Sequence, residues 1–177
     1  MAMLFNVSGL MQEGIGATRQ HEIDGSLEAE GRESEPLTGQ VELLRTKTGV
    51  LVRAHLQITA TDACSRCLRP LSQVLSVDFE EEFQATVDRH TGEPVTDRPD
   101  GDDFLIDENH MLDLTEAVRQ YREAVADMQP LCRPDCLGIC PDCGKDRNSG
   151  ECSCAEAPVD SRWAALAGLL PNTEGKE

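Results

Sequence analysis

Apolar and polar side chains alternate most regularly between Val50 and Thr61. Val50, Val52, Ala54, Leu56, Ile58 and Ala60 fall on one face. Arg53, His55, Gln57, Thr59 and Thr61 fall on the other, with Leu51 the apolar exception. A period of two sustained over this length predicts a strand with one buried face. Gly39 to Arg45 predicts a preceding strand, joined to it through Thr46-Lys47-Thr48-Gly49, a stretch suited to a hairpin loop. Leu75, Val77, Phe79 and Phe83 share one face of a following strand, with Asp78, Glu80 and Glu82 turned outward. The turn before that strand holds Cys64-Ser65-Arg66-Cys67, so the expectation is an antiparallel meander with a CxxC at one tip. The period then changes. Over Leu112 to Met128, positions Leu114, Ala117, Val118, Tyr121, Ala124, Val125 and Met128 trace one side of an amphipathic helix. Asp113 and Glu116 resemble a capping box at its start, and Pro130 closes it. Residues 88–103, rich in Asp, Gly and Pro, predict an exposed loop. A short final helix is predicted from an Asp160 N-cap through Trp163, Leu166, Leu169 and Leu170.

Composition changes this picture in two ways. Aromatic residues are only 3% of the 177, so the core must be aliphatic. The formal net charge is −17, which repels phosphate backbones unless the cations are gathered in one place. By segment the charge is −5 over residues 1–40, +3 over 41–70, −12 over 71–130 and −3 over 131–177. The one cationic segment coincides with the meander and its CxxC tip. Its candidate RNA-contacting residues are Arg45, Lys47, Arg53, Arg66 and Arg69. An ordinary solvated strand face accounts for them equally well. No aromatic occurs in 41–70, so contact there would be to phosphate or shape rather than by base stacking. The N-terminal stretch lacks a basic region followed by an apolar run, and no window has the roughly 20 apolar residues of a membrane span. These features predict a cytoplasmic protein without a membrane partner.

In a reducing compartment eight cysteines point to metal before disulfides. Cys140-Pro141-Asp142-Cys143-Gly144 is a zinc-knuckle sequence, in which a tight turn converges two thiolates and Gly144 accepts positive φ. Cys152 and Cys154 can complete a tetrahedral site with that pair. Cys132 and Cys136 can pair with Cys64 and Cys67, which gives two four-cysteine sites and no cysteine left over. The competing reading is one site plus spare thiols packed as small hydrophobes. A closed site of four thiolates implies structural Zn2+ rather than catalysis. The predicted class is therefore α+β: an antiparallel meander with one amphipathic helix, then a cysteine-rich, zinc-ribbon-like module and a short helix. The predicted divisions are an α+β domain over 1–130, a zinc-binding module with terminal helix over 131–170, and a disordered tail over 171–177.

Catalytic chemistry is thin. His21, His55, His90 and His110 are scattered singly, and no phosphate-binding glycine loop or nucleophile elbow is present. A thiol oxidoreductase or redox switch at Cys64 and Cys67 is the main alternative, since Arg66 and Arg69 would lower a thiol pKa. Against it, a thioredoxin-like dithiol opens a helix in a βαβ unit rather than sitting between antiparallel strands. A zinc-dependent adaptor for another protein is a further alternative.

Several motifs together resemble one family. They are Phe5-Asn6-Val7 with Gly16-Ala17-Thr18-Arg19, then Cys64-Ser65-Arg66-Cys67-Leu68 with Pro70, and Leu112-Asp113-Leu114. Pro130-Leu131-Cys132, the run Cys136 to Gly144, Cys152-Ser153-Cys154 and Asp160-Ser161-Arg162 follow. The pattern resembles the large ribosomal RNA subunit accumulation proteins of the YceD type. The resemblance implies a non-enzymatic role in accumulation, processing or assembly of large-subunit (23S-type) rRNA, with no small-molecule substrate. The partners it suggests are precursor large-subunit rRNA or a basic large-subunit ribosomal protein, which the acidic 71–130 region would suit by charge.

Overall fold

The computed structural model describes residues 3–28, 34–88, 93, 95, 104–150 and 152–154. The chain is mostly β-sheet. Its elements are β1 (Leu4–Asn6), α1 (Ser8–Gln12), β2 (Thr18–Leu27), β3 (Glu35–Arg45), β4 (Gly49–Ala63) and β5 (Pro70–Ala85). Two short strands, β6 (Leu105–Ile106) and β7 (Met111–Asp113), precede helix α2 (Thr115–Val125). Among the described residues the seven strands form one sheet in the order β1-β7-β6-β5-β4-β3-β2.

The long strands β2 to β5 pair antiparallel, each with its neighbour in sequence. Every residue of the alternating set Val50, Val52, Ala54, Leu56, Ile58 and Ala60 is buried, as are Leu75, Val77, Phe79 and Phe83 opposite them. Paired residues share a face, so one row reads Glu22, Gln40, His55, Asp78 and the next Gln20, Glu42, Arg53, Glu80. That outer face is acidic and polar. The inner face closes over Leu10 and Met11 of α1 and over Ala117 and Val118 of α2. At the ends of the strand order the edges approach each other. The ring of Phe5 on β1 lies 5.1 Å from that of His21 on β2, so the sheet curls until its edges meet through side chains.

The turn from β3 to β4 requires a glycine for space. A Cβ at Gly49 would sit 1.9 Å from the carbonyl oxygen of Phe83 on β5. Strands β3 to β5 are also longer than the alternation marks, because pairing continues past the last apolar residue. The β4–β5 ladder runs out to Ala63 opposite Pro70 and carries Cys64 to Arg69 beyond the sheet as a projecting tip.

The helix departs from expectation at both ends. Residues 111–113 are extended rather than helical, because Leu4, Phe5 and Asn6 pair with Asp113, Leu112 and Met111. The predicted capping box does not form. Asp113 Oδ1 instead accepts from the amide and hydroxyl of Thr115, and Glu116 turns to Arg119 and Gln120. At the other end α2 stops at Val125, and Ala124, Val125 and Met128 face solvent. Its buried face is Ala117, Val118 and Arg122, with the Tyr121 ring stacked 4.7 Å from Phe79. The predicted final helix from Asp160 to Leu170, the tail over 171–177 and most of the predicted 88–103 loop lie outside the described residues.

Candidate metal centre

The β4–β5 tip turns within four residues. The amide of Leu68 donates to the carbonyl of Cys64 at 2.9 Å, and the amide of Cys64 donates to the carbonyl of Arg69 at 2.9 Å. The Cys140–Lys145 segment repeats this pattern: Gly144 N to Cys140 O is 2.9 Å, and Cys140 N to Lys145 O is 2.8 Å. Both turns end in left-handed backbone, with φ of 60° at Leu68 and 71° at Gly144. Each is a compact frame that aims two thiols to one side, as in a metal knuckle.

A second pair of cysteines meets each frame. Cys64, Cys67, Cys132 and Cys136 have their sulfurs within 4.8 Å of one another, and so do Cys140, Cys143, Cys152 and Cys154. The first set joins the sheet tip to the segment after α2. That segment is anchored by Ser65 N donating to Pro130 O at 2.8 Å and by Arg66 Nη1 donating to Cys136 O at 2.9 Å. Cys64, Cys67 and Cys136 form a small core with Leu131, separate from the main apolar core. The second set is local, spanning residues 140–154.

The donor sets fit a tetrahedral, thiophilic ion. Cys64 and Cys136 Sγ are 3.8 Å apart, and Cys67 and Cys132 Sγ are 3.7 Å apart. A disulfide needs about 2.05 Å. Four sulfurs at about 2.3 Å from a central ion are separated by about 3.8 Å along each tetrahedral edge. Electrostatics agree. The backbone N–H of Cys132, then that of Cys67, holds the Cys64 thiol down at about 6. Desolvation and hydrogen bonding to Cys67 push Cys132 up to about 12. In the second set the N–H groups of Cys143 and Asp142 bring Cys140 down to about 7, while hydrogen bonding to Cys143 and desolvation push Cys154 up to about 12. Thiols this crowded cannot all ionise together without a cation among them, and a divalent ion would supply that charge and release protons on binding.

The five candidate RNA-contacting cations do not form one free patch. Arg45 is buried, donating to the carbonyls of Thr46 and Gly49. Arg53 lies between Glu80 at 2.6 Å and Glu42 at 3.5 Å. Arg66 serves Cys136, and Arg69 pairs with Asp146 at 2.6 Å. Lys47 is exposed in the β3–β4 turn.

Sequence reading missed Asp146 and Asn148, which bind the two centres to each other. The sequence carried a signal for Asp146 alone, because an Asp side chain can accept from the backbone N–H two residues on whatever residue stands there, and nothing local marks Asn148. Asp146 Oδ1 accepts from the Asn148 amide at 2.8 Å and opens the 3-10 turn Arg147–Ser149.

No helix among the described residues is long and apolar enough to cross a membrane. No solved structure matches the chain. Uncharacterized proteins of Mycobacterium tuberculosis and Mycobacterium bovis are 34% identical to it over 122 residues, which is 69% of this chain. The chain aligns with 56% of the length of those relatives. The family model for the large ribosomal RNA subunit accumulation protein YceD matches residues 52–170, a stretch that holds all eight cysteines and both sulfur clusters. On that match the chain belongs to the YceD family.

Proposed function

We propose that this protein is a non-enzymatic cytoplasmic factor that supports accumulation of large-subunit rRNA, and that one Zn2+ ion holds its C-terminal segment to the sheet while a second closes that segment on itself. Family membership over residues 52–170 carries the reading. The two all-sulfur sets support zinc as scaffold: four protein ligands leave no open position for substrate or water. A basic large-subunit ribosomal protein is the preferred direct partner, over precursor rRNA. Arg45, Arg53, Arg66 and Arg69 are engaged inside the chain. On the outer sheet face Asp78, Glu80 and Glu82 are exposed but bonded to His55, Arg53 and the Thr46 and Thr48 hydroxyls. The exposed carboxylates of that face, Glu22 and Asp24 among them, outnumber its cations. Charge complementarity of this kind speeds encounter and weakens with salt.

The test measures binding of the metal-loaded protein to purified large-subunit ribosomal proteins and to precursor rRNA fragments across a salt series. The expected result is salt-sensitive association with a basic protein and none with naked rRNA. Binding to rRNA alone would reverse the choice of partner. If depletion in cells leaves the ratio of large- to small-subunit rRNA unchanged, the ribosomal reading itself fails. The redox alternative at Cys64 and Cys67 has little to support it, because Cys64 is wholly buried and a dithiol must reach its substrate.

A further inference from the structure

We propose that Asn148, supplied by the loop of the second cysteine cluster, is a positioning residue for the first, and that it couples metal loading at the two centres. The inference rests on the metal reading above and goes beyond it. Asn148 Nδ2 donates to Cys136 Sγ at 3.4 Å and to Asp146 Oδ1 at 2.7 Å. Its Oδ1 accepts from Arg133 Nη2 at 2.7 Å and from the Leu137 amide at 2.8 Å. Both amide hydrogens and both oxygen lone pairs are thereby used, which fixes the orientation of the side chain with an N–H on the sulfur. An N–H donor to a ligating sulfur stabilises the thiolate, and such supporting contacts are worth about 10- to 100-fold in metal affinity.

The placement of Asn148 depends on the other centre. It lies between Cys143 and Cys152, two ligands of the second set. That loop has no buried apolar side chain of its own between 144 and 150. Besides its cysteines it is held by the bonds of Asn148 to Arg133 and Leu137, by backbone bonds that include Cys140 N to Lys145 O at 2.8 Å and Arg147 N to Gly138 O at 2.9 Å, and by Arg69 on Asp146. Arg69 in turn follows Cys67 directly after Leu68, so the strut runs from the first knuckle to the second loop and back to Cys136. Closing the second centre orders Asn148, and an ordered Asn148 tightens the first centre. By linkage the effect is reciprocal.

A double-mutant cycle tests this. Full-length metal-free protein is titrated with Zn2+ against a chelator of known affinity, and native mass spectrometry counts chains with zero, one and two ions. Asn148→Ala should weaken the first centre about 10- to 100-fold and, by the same linkage, remove the tightening that a filled first centre gives the second. It should leave the second's affinity in a chain with an empty first centre unchanged. Cys143→Ser with Cys154→Ser, which removes the second centre, should weaken the first similarly. The combined variant should be no worse than either, because the two changes remove one interaction. Asn148→Asp, of the same shape but presenting an acceptor to Cys136, should be weaker than Asn148→Ala. In Co2+-loaded protein, Asn148→Ala should move the sulfur-to-cobalt charge-transfer band to lower energy, a change that general loosening would not produce. Far-UV circular dichroism checks that the sheet persists in each variant. Two ions that bind independently, or losses that simply add, would overturn the coupling and leave the metal reading standing. A chain that takes up no Zn2+ or Co2+ would overturn both.

Discussion

Leu68 holds a backbone conformation that the second knuckle gives to Gly144. The two turns share their hydrogen bonds, and φ at Leu68 is 60°. A side chain with a Cβ pays about 1 kcal/mol or more in left-handed backbone. The Leu68 side chain recovers little by burial, being 64% exposed. Leu68→Gly is therefore expected to stabilise the metal-loaded protein by about 0.5–1 kcal/mol, after allowing for the greater freedom of glycine in the unfolded chain. Chemical denaturation at unchanged m-value measures it. A fall in midpoint would mean that Leu68 contributes packing that its exposure does not reveal. Gly49 illustrates the opposite constraint, where space rather than dihedral angle excludes a side chain.

Among the elements, α2 is held to the sheet by an ion pair as well as by apolar contact. Arg122 Nε and Nη2 donate to the two carboxylate oxygens of Glu35 at 2.9 and 2.6 Å, with both side chains almost fully buried. Glu35, then Asp62, raises the guanidinium pKa above its ordinary value. Removing one partner strands the other charge out of water, so Arg122→Ala should cost about 3–5 kcal/mol. A paired replacement by apolar residues of similar size should recover much of this. Thermal melts of the single and double variants distinguish the ion pair from simple loss of volume. This pair also shows where sequence reading stops. Its members are 87 positions apart, and Arg122 sits in a helix whose polar residues read as solvent-facing. The central strands were legible because each alternates by itself. β2 was not, since TRQHEIDGSL offers only Ile23 and Leu27 as apolar markers and owes its shape to β3. β1, β6 and β7 are two or three residues long and exist only as one another's or β5's partners. The cysteine grouping was legible as arithmetic among alternatives, and the sulfur positions select two sets of four.

For the whole molecule, the main apolar core and the cysteine clusters are separate. Metal removal should therefore act locally. Chelation is expected to abolish amide protection at Ile139, Cys140 and Gly144 while β3 and β4 stay protected, read by hydrogen exchange. Loss of protection throughout β3 and β4 would mean that the clusters support the entire sheet. The first centre has the larger leverage, since its sulfur contacts join residues 72 and 65 positions apart. A crosslink over a loop of this size removes about 4 kcal/mol of unfolded-state entropy. The same separation has a consequence in time. During synthesis the tip thiols of Cys64 and Cys67 emerge long before Cys132 and Cys136 exist to meet them. Cys140 to Cys154 are made within a few moments of one another, and short loops close faster than long ones. The first set is nonetheless complete when Cys136 is made, 18 residues before Cys154 completes the second, and a loop closes far faster than those residues are synthesised. The tip pair thus waits half-ligated for most of synthesis and still closes before the local centre can.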